Sequence, residues 1–284
     1  MQDNKKVLVV CGAGTMGSGI AQVGAQNLFS VVLFDINDQF LEKAKKQIEK
    51  NLQYLVGKNK ITEKDKIEML SKIHFTSSLN DCVGDVIIEA IVEKIAAKIS
   101  LFNDLAAINN PDTILASNTS SISISDIQKE ISNPSRVAGL HFFNPPYIMK
   151  LVEVVQGELS SDKTINELKD LCNQLKKLPV VCKDSPGFIV NRVARPYYLE
   201  SLKIAETGLA SFEDIDKAME ACGFKMGPFK LMDMIGNDIN LAVSEIVYNA
   251  FNKTPRFKPS SLQKEKVLKN ELGIKTGKGF YNYS

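Results

Sequence analysis

The chain of 284 residues lacks several features that commonly indicate a function. Its five cysteines form no Cys-x-x-Cys pair and are odd in number, so neither a zinc site nor a disulfide framework is indicated and no metal is expected. Thirty-five Lys and Arg residues against 33 Asp and Glu residues leave a net charge of +2. This balance argues against a general nucleic-acid or membrane-surface protein.

Long apolar runs are also missing. No run reaches the length of a bilayer span, and residues 1–6 lead directly into the first predicted strand. We therefore expect a cytoplasmic protein with no membrane partner.

A glycine-rich motif near the start of the chain joins a strand to a helix. Apolar residues at positions 7–10 run into Gly12-x-Gly14-x-x-Gly17, and small residues at helical spacing follow. Gly12 permits a tight turn, Gly14 lets a pyrophosphate approach the backbone, and Gly17 lets the helix lie close to the strand. The amides at the helix N-terminus would then face phosphates.

A second apolar strand, residues 31–34, ends in Asp35. An acid at this place in a dinucleotide-binding unit accepts ribose hydroxyls and repels a 2′-phosphate, so the predicted cofactor is NAD rather than NADP. The alternative is an ordinary βαβ unit in which Asp35 only caps the helix that begins near Asp38. The order of strand, glycines, helix, strand and acid favours the cofactor.

Alternating strands and helices predict a Rossmann-type, doubly wound, mostly parallel α/β sheet. A helix at residues 38–56 and a charged helix that opens at Thr62 are expected to form an arm outside the sheet. Further strands are predicted at residues 85–90, 114–117, 137–143, 151–155 and 179–182, with helices at residues 93–108 and 163–178.

Residues 184–187 contain Pro and Gly, and the β signal disappears beyond them. This predicts an NAD-binding domain at residues 1–184 and a smaller all-α domain at residues 185–284, whose first helix covers residues 188–207. Since the second domain has no cofactor motif, we expect it to contribute to the substrate cleft and to a homodimer interface.

A nicotinamide enzyme that oxidises an alcohol needs a base, and only two histidines are available. His74 is expected at the surface or in packing, whereas His141 ends a strand at the carboxyl edge, where open α/β sheets bind ligands. Glu153 stands within an apolar strand and would be costly to bury unless paired, which favours His141 as its partner. The alternative places Glu153 at a strand edge in solvent and His141 in the core as a satisfied histidine.

Two polar groups are expected near the same edge. A serine within residues 117–121 can offer a hydroxyl to a substrate oxygen, although loop and cap chemistry explains such a run equally well. Asn191 lies in the first turns of the long helix, where a carboxamide would reach the substrate cleft. Alone it would be an ordinary exposed helix residue.

Seven motifs, in order, resemble L-3-hydroxyacyl-CoA dehydrogenases over nearly the whole chain. They are Gly-Ala-Gly-Thr-Met-Gly at 12–17, Glu-Ala-Ile-Val-Glu at 89–93, Ala-Ser-Asn-Thr-Ser-Ser at 116–121, His-Phe-Phe-Asn-Pro at 141–145, Met-Lys-Leu-Val-Glu-Val at 149–154, Pro-Gly-Phe-Ile-Val-Asn-Arg at 186–192 and Lys-Thr-Gly-Lys-Gly-Phe-Tyr at 275–281.

The resemblance implies a role for individual residues. His141 would be the general base with Glu153 behind it, while Ser120 and Asn191 would hold the substrate. The implied NAD-binding residues are Gly12, Gly14, Thr15, Met16, Gly17, Asp35 and, near the nicotinamide ribose, Glu93. In the arm, Lys58 falls on the CoA-binding lysine, and Asn51 stands where many relatives place a serine near CoA.

The implied reaction interconverts (S)-3-hydroxyacyl-CoA and 3-oxoacyl-CoA with NAD(H), and 3-hydroxybutyryl-CoA is the first candidate substrate. A binding or structural homologue without activity is one rival, and a dehydrogenase of free β-hydroxy acids is another. The arm with Lys58 favours an acyl-CoA over a free acid.

A further alternative concerns the acyl chain. Residues 192–198 and 226–233 look more like 3-hydroxyadipyl-CoA dehydrogenases, and Arg195 lies one helical step from Asn191. A guanidinium there would hold the distal carboxylate of a dicarboxylyl chain. The competing interpretation is a structural ion pair or a dimer contact.

Overall fold

The structure is a computed structural model that describes residues 6–283. Two compact units divide the chain, the first ending at Asp184 and the second beginning at Ser185. The expectation that residues 1–6 lead directly into the first strand falls, for residues 1–5, outside the described part. None of the described helices is long and apolar enough to cross a membrane.

The first unit is built on an eight-stranded sheet. Its strands are β1 (Val7–Cys11), β2 (Ser30–Phe34), β3 (Ile73–Thr76), β4 (Val86–Glu89), β5 (Ile114–Ser117), β6 (Val137–Phe142), β7 (Leu151–Gln156) and β8 (Leu178–Lys183). They lie in the order β3-β2-β1-β4-β5-β6-β7-β8, and only β6 and β7 pair antiparallel. The predicted Rossmann-type sheet is confirmed, and its strand order reverses between β1 and β4.

Helices cover both faces of this sheet. They are α1 (Thr15–Gln26), α2 (Asp38–Gly57), α3 (Glu63–Ser71), α4 (Ile95–Ile108), α5 (Ile124–Gln128) and α6 (Asp162–Gln174). Leu8 and Val10 of β1 pack with α1, α2 and α6, whereas Val9 and Cys11 pack with α4 and α5. Because side chains alternate along a strand, the two clusters lie on opposite faces.

Three local expectations for this unit are wrong. Strand β3 was not predicted, because it has only four residues and one of them, His74, is an exposed polar residue. Helix α4 begins at Ile95 rather than at residue 93, and Ile95 itself is 39% exposed. Helix α6 ends at Gln174, before Lys176 takes a left-handed φ of 55°.

The predicted arm divides into a packed helix and a peripheral one. Leu41, Ala44, Ile48 and Leu52 of α2 are buried in the same cluster as α1, so α2 belongs to the core. Helix α3 buries no residue and follows the predicted start at Thr62, which caps it and forms a capping box with Asp65. Only α3 therefore fits the description of an arm outside the core.

The second unit consists of helices α7 (Val190–Glu206), α8 (Phe212–Ala221), α9 (Pro228–Ile235), α10 (Asn237–Ala250) and α11 (Ser261–Leu268). Within its described residues it contains isolated bridges near the C-terminus but no strand. Its core includes an aromatic cluster in which the ring centroids of Phe212, Phe229 and Phe280 lie 4.7 to 5.1 Å apart. Helix α7 starts later than predicted, since Phe188 takes a φ of 47°.

Candidate active site

The glycine motif lies where β1 ends and α1 begins. Gly12 has a φ of 105°, and a Cβ on Gly17 would stand 1.7 Å from the carbonyl oxygen of Gly12, so neither position accepts a larger residue. A Cβ on Gly14 would meet nothing within 4 Å, which leaves open space over the loop. Gly14 caps α1 without a side-chain hydrogen bond, so the helix N-terminus fits a phosphate group.

Thr15 and Met16 form the first turn of α1, with Thr15 exposed and Met16 half-buried. Thr15 lines the same cavity as Gly14, whereas Met16 packs against the core of the unit. The loop is therefore shaped as a cradle for an anionic group, as expected for the pyrophosphate of a dinucleotide.

Asp35 follows β2 and is tied to the glycine loop. Its Oδ2 accepts a hydrogen bond of 2.8 Å from the backbone N–H of Ala13, and its Oδ1 accepts one of 3.0 Å from that of Asn37. The cap of α2 is Asn37, whose side chain accepts from the N–H of Gln39, so the alternative role for Asp35 as the helix cap is wrong. A half-buried carboxylate at this place fits ribose hydroxyls.

A buried ion cluster lies where β4 and β5 end. The Nζ of Lys98, on α4, stands 2.6 Å from Oε1 of Glu89 and 3.1 Å from Oε2 of Glu93. The other oxygen of Glu89 accepts a 2.6 Å hydrogen bond from Ser117, and both Glu89 and Lys98 are at most 1% exposed. The cluster holds Glu93 beside the loop after β5.

Glu93 gathers donors from that loop. Its Oε1 accepts from the hydroxyl of Thr119, from the hydroxyl of Ser121 at 3.0 Å and from the N–H of Ser120 at 3.3 Å. Burial alone would raise the pKa of Glu93, but the charge of Lys98 and the hydrogen bonds outweigh it and hold the pKa below its ordinary value. Glu93 is therefore ionised at neutral pH.

His141 and Glu153 face each other across β6 and β7. They are partners in the antiparallel register, and Nδ1 of His141 lies 2.7 Å from Oε2 of Glu153. His141 is 7% exposed and Glu153 is 1% exposed, so the alternative with Glu153 at a strand edge in solvent is wrong. A buried imidazole and carboxylate at hydrogen-bond distance can hold and move a proton.

The predicted groups of the first unit meet at one edge of its sheet. Strands β4, β5 and β6 are parallel, so Glu93, Ser120 and His141 all follow or end strands on the carboxyl side. Asn118 links them, since its N–H donates to the carbonyl of Glu89 and its Oδ1 accepts from the N–H of Phe142. The arrangement places a cofactor cradle and a proton-transfer pair along the same edge.

Asn51 on α2 and Lys58, which follows that helix, occupy different surroundings. Asn51 is half-buried, donates to Oε1 of Gln22 at 2.9 Å and accepts from Gln47 at 2.8 Å. It also lines a cavity of about 390 Å³ that reaches the glycine loop. Lys58 is the exposed residue after α2, with its Nζ 5.6 Å from the ring centroid of Tyr54, and it does not line this cavity.

In the second unit, Asn191 is the second residue of α7 and is half-buried. Arg195 departs from expectation, because it is 3% exposed and its guanidinium is held inside the unit. Its Nη1 donates to the carbonyl oxygen of Asn240 at 2.9 Å and to Ser244 at 3.0 Å, and its Nε donates to the carbonyl of Asn191 at 3.1 Å.

The structure therefore does not support the hypothesis that Arg195 binds the distal carboxylate of a dicarboxylyl substrate. Its hydrogen bonds go to neutral groups, which also excludes the structural ion pair within the described chain. Burial lowers the pKa of Arg195 to about 10. The side chain connects α7 to α10.

Sequence reasoning missed Lys98 and Glu89. No role was predicted for Lys98, yet it is one of the buried residues of α4, together with Phe102 and Leu105. The signal available in the sequence was its helical spacing to Phe102, and the buried partner Glu89 lies on a different element. Among the described residues, no group of three or more His, Cys, Asp or Glu side chains could hold a metal ion.

A parallel sheet whose strand order reverses at β1, a glycine loop shaped for a phosphate and a buried His–Glu pair together define a dinucleotide-dependent oxidoreductase of the Rossmann class. Two family models match the chain: the one described as "3-hydroxyacyl-CoA dehydrogenase, NAD binding domain" covers residues 7–185, and the C-terminal domain of the same family covers residues 187–283. The chain belongs to the 3-hydroxyacyl-CoA dehydrogenase family. The predicted family and the predicted cofactor NAD are confirmed.

Individual relatives agree with this assignment. The chain is 44% identical over its whole length to the 3-hydroxyadipyl-CoA dehydrogenase of Escherichia coli K12, but it spans only 60% of that protein. It is 42% identical to the mitochondrial hydroxyacyl-coenzyme A dehydrogenase of Rattus norvegicus, covering 98% of this chain and 93% of the relative. The crystal structure of (S)-3-hydroxybutyryl-CoA dehydrogenase from Ralstonia eutropha superposes with a TM-score of 0.94 at 40% identity, covering 99% of this chain and 100% of the other.

Proposed function

We propose that this chain interconverts (S)-3-hydroxyacyl-CoA and 3-oxoacyl-CoA with NAD(H), and that 3-hydroxybutyryl-CoA and acetoacetyl-CoA are its substrates. The observation that carries the proposal is the buried pair in which Nδ1 of His141 lies 2.7 Å from Glu153. The pair stands on the same sheet edge as the glycine cradle. Bound NAD supplies the hydride acceptor of the oxidation.

The protein's own part is proton management and orientation. Glu153 accepts from the Nδ1–H of His141, and this assignment of the proton leaves the basic lone pair on Nε2. During oxidation, Nε2 takes the proton of the substrate hydroxyl, and the carboxylate of Glu153 stabilises the imidazolium that forms. In reduction the imidazolium returns that proton to the substrate oxygen.

The remaining roles follow the family resemblance. Ser120 donates a hydrogen bond to the reacting oxygen, Asn191 helps to position the substrate, and Lys58 attracts the phosphates of CoA. The anionic groups of CoA suit the exposed ammonium of Lys58, which carries no ion pair among the described residues. Asn51 contributes a polar wall to the cavity beside the glycine loop.

The proposal also concerns which acyl chain the substrate carries. The Escherichia coli relative is named for 3-hydroxyadipyl-CoA, so a dicarboxylyl substrate is the second candidate. We favour the short chain, because the guanidinium that was expected to read a distal carboxylate is bonded to α10 instead.

We further infer a cytoplasmic homodimer that forms through the second unit. Val193, Ile239 and Ile246 are apolar side chains of its helices that are 37 to 71% exposed, more than a small unit needs at its surface. Light scattering should give twice the mass of one chain, whereas a monomeric mass would contradict the dimer.

A direct assay tests the proposed reaction. The absorbance of NADH should fall when the protein is mixed with acetoacetyl-CoA, and acetoacetate at equal concentration should give a rate at least roughly a hundredfold lower, because it lacks the CoA contacts. A parallel series with 3-oxoadipyl-CoA measures the acyl preference. Absence of turnover with both thioesters would favour a catalytically silent homologue, and a preference for acetoacetate would favour the free-acid alternative.

A further inference from the structure

The ion cluster at the ends of β4 and β5 has an unbalanced charge. It contains two carboxylates, Glu89 and Glu93, and one ammonium group, Lys98, so its formal net charge is −1. Glu89 and Lys98 are buried and neutralise each other at 2.6 Å, whereas the side chain of Glu93 is 40% exposed. The excess negative charge is therefore carried at the surface of the sheet edge.

The fold fixes which half of a dinucleotide this charge would meet. The glycine loop on β1 receives the pyrophosphate, and Asp35 on β2 marks the adenosine side. Strand β4 lies on the opposite side of β1, with the N–H of Ala90 bonded to the carbonyl of Cys11 at 2.7 Å. The nicotinamide half accordingly crosses the ends of β4 and β5, where Glu93 stands.

The two redox forms of the cofactor differ in charge at that half. The oxidised nicotinamide ring carries one positive charge and the reduced ring carries none, while the rest of the dinucleotide is unchanged. A fixed carboxylate near the ring attracts the oxidised form and leaves the reduced form nearly unaffected. The hydrogen bonds from Thr119 and Ser121 hold Glu93 in one position, which keeps this field constant.

We propose that the Glu89–Lys98–Glu93 cluster, through its net charge of −1, sets the affinity of this protein for NAD⁺ relative to NADH. The inference rests on the cofactor assignment within the proposed function. Lys98 cancels the charge of Glu89 and lies 3.1 Å from Oε2 of Glu93. Thr119 and Ser121 keep Glu93 in place from the loop after β5.

The test measures dinucleotide binding without any acyl-CoA. Fluorescence titration gives the Kd for NADH, and displacement by NAD⁺ gives the second Kd. Glu93→Gln brings the formal cluster charge to zero and should raise Kd(NAD⁺)/Kd(NADH) roughly tenfold, the effect of one charge about 10 Å away at an effective dielectric constant of about 20. Glu93→Lys, with a net charge of +1, should raise the ratio further.

Two controls separate charge from structure. Ser121→Ala removes a hydrogen bond to Glu93 but no charge, and the double variant Glu89→Gln/Lys98→Gln removes one charge of each sign. Both should keep the ratio within about threefold of the wild type, even if both affinities fall together. Thermal unfolding identifies any variant that is not folded. The ratio Kd(NAD⁺)/Kd(NADH) is then compared only among the folded variants.

Two outcomes overturn the inference. The first is an equal loss of affinity for both dinucleotides in Glu93→Gln and Glu93→Lys. The second is a change of Kd(NAD⁺)/Kd(NADH) in the charge-preserving double variant that is as large as the change in Glu93→Gln. A chain that binds both dinucleotides but reduces no acyl-CoA would contradict the proposed function and leave this inference testable. A wild type that binds neither dinucleotide contradicts both.

Discussion

Glu153 in the first unit and Asp233 in the second are both 1% exposed, yet their partners differ. Glu153 meets the imidazole of His141, whose second ring nitrogen can accept a proton. Asp233 accepts from the N–H groups of Phe280 and Tyr281 at 2.9 and 3.0 Å and from the hydroxyl of Tyr283 at 2.9 Å. These donors do not titrate near neutral pH.

The comparison teaches that burial alone does not mark a catalytic carboxylate. Asp216, also buried, repeats the pattern of Asp233 by accepting from the N–H of Phe229 at 2.8 Å and from the hydroxyl of Tyr281 at 2.8 Å. Burial, and then the hydrogen bond to Asp216, raises the pKa of Tyr281 far above its usual value, so that hydroxyl stays a donor. These carboxylates fasten the C-terminal segment, whereas Glu153 is paired with the imidazole of His141.

The largest expected effect is on stability in the second unit. Asp233→Ala leaves several buried donors without an acceptor and should lower the free energy of unfolding by about 4 kcal/mol. Chemical denaturation measures the loss. Glu265→Gln, which alters an exposed pair with Lys269, is the matched control and should change stability by less than about 0.5 kcal/mol. A loss below about 1 kcal/mol for Asp233→Ala would contradict the fastening role.

The opposite pattern is expected for the histidine of the first unit. His141→Gln should lower kcat by at least about a hundredfold, because the general base is removed, while the affinity for NADH stays within about twofold. Steady-state assays with acetoacetyl-CoA and NADH titration measure the two quantities. Wild-type turnover in this variant at neutral pH would end the assignment of His141 as the base.

Asp35 extends the comparison to the cofactor site. Its carboxylate accepts from the N–H of Ala13 in the glycine loop, and we expect the same negative charge to repel a 2′-phosphate. The wild type should use NADH more efficiently than NADPH. Asp35→Asn should lower the ratio of kcat/KM for NADH over NADPH roughly tenfold, because one negative charge is removed. The ratio of kcat/KM for the two cofactors is the measurement. Equal efficiencies in the wild type would refute the predicted role.

Arg195 gives the smallest expected effect on function. Because its guanidinium bonds to Asn240 and Ser244, Arg195→Met should leave the ratio of kcat/KM for 3-oxoadipyl-CoA over acetoacetyl-CoA within about twofold of the wild type. Assays of both thioesters on the same preparation provide that ratio. A selective loss on 3-oxoadipyl-CoA would restore Arg195 as the residue that reads a carboxylate.

Regular patterns made most of the fold predictable. Strand β1, the glycine loop and the alternation of strands and helices follow local periodicity, which a sequence displays directly. Strand β3 is short and carries the exposed His74, so it lacks that periodicity. The ends of α4 and α6 are set by loop conformations that apolar spacing does not report.

The site was predictable where one residue type is rare and its surroundings are regular. His141 and Glu153 stood out because a histidine ends one apolar strand and a carboxylate interrupts another. Lys98 did not, since its burial depends on Glu89, a residue of another element that supplies the opposite charge. The same reason explains Arg195, whose neutral acceptors on α10 are tertiary neighbours.

The central claim, that Glu153 acts through His141 as one proton-transfer unit, is tested most directly by a double-mutant cycle. The variants are His141→Gln, Glu153→Gln and the combination, compared by kcat with acetoacetyl-CoA, with NADH affinity and thermal unfolding as checks on folding. If the pair is one unit, the combination should lose about as much kcat as His141→Gln alone, within about threefold. Losses that multiply, so that the combination falls by the product of the two single effects, would contradict the claim.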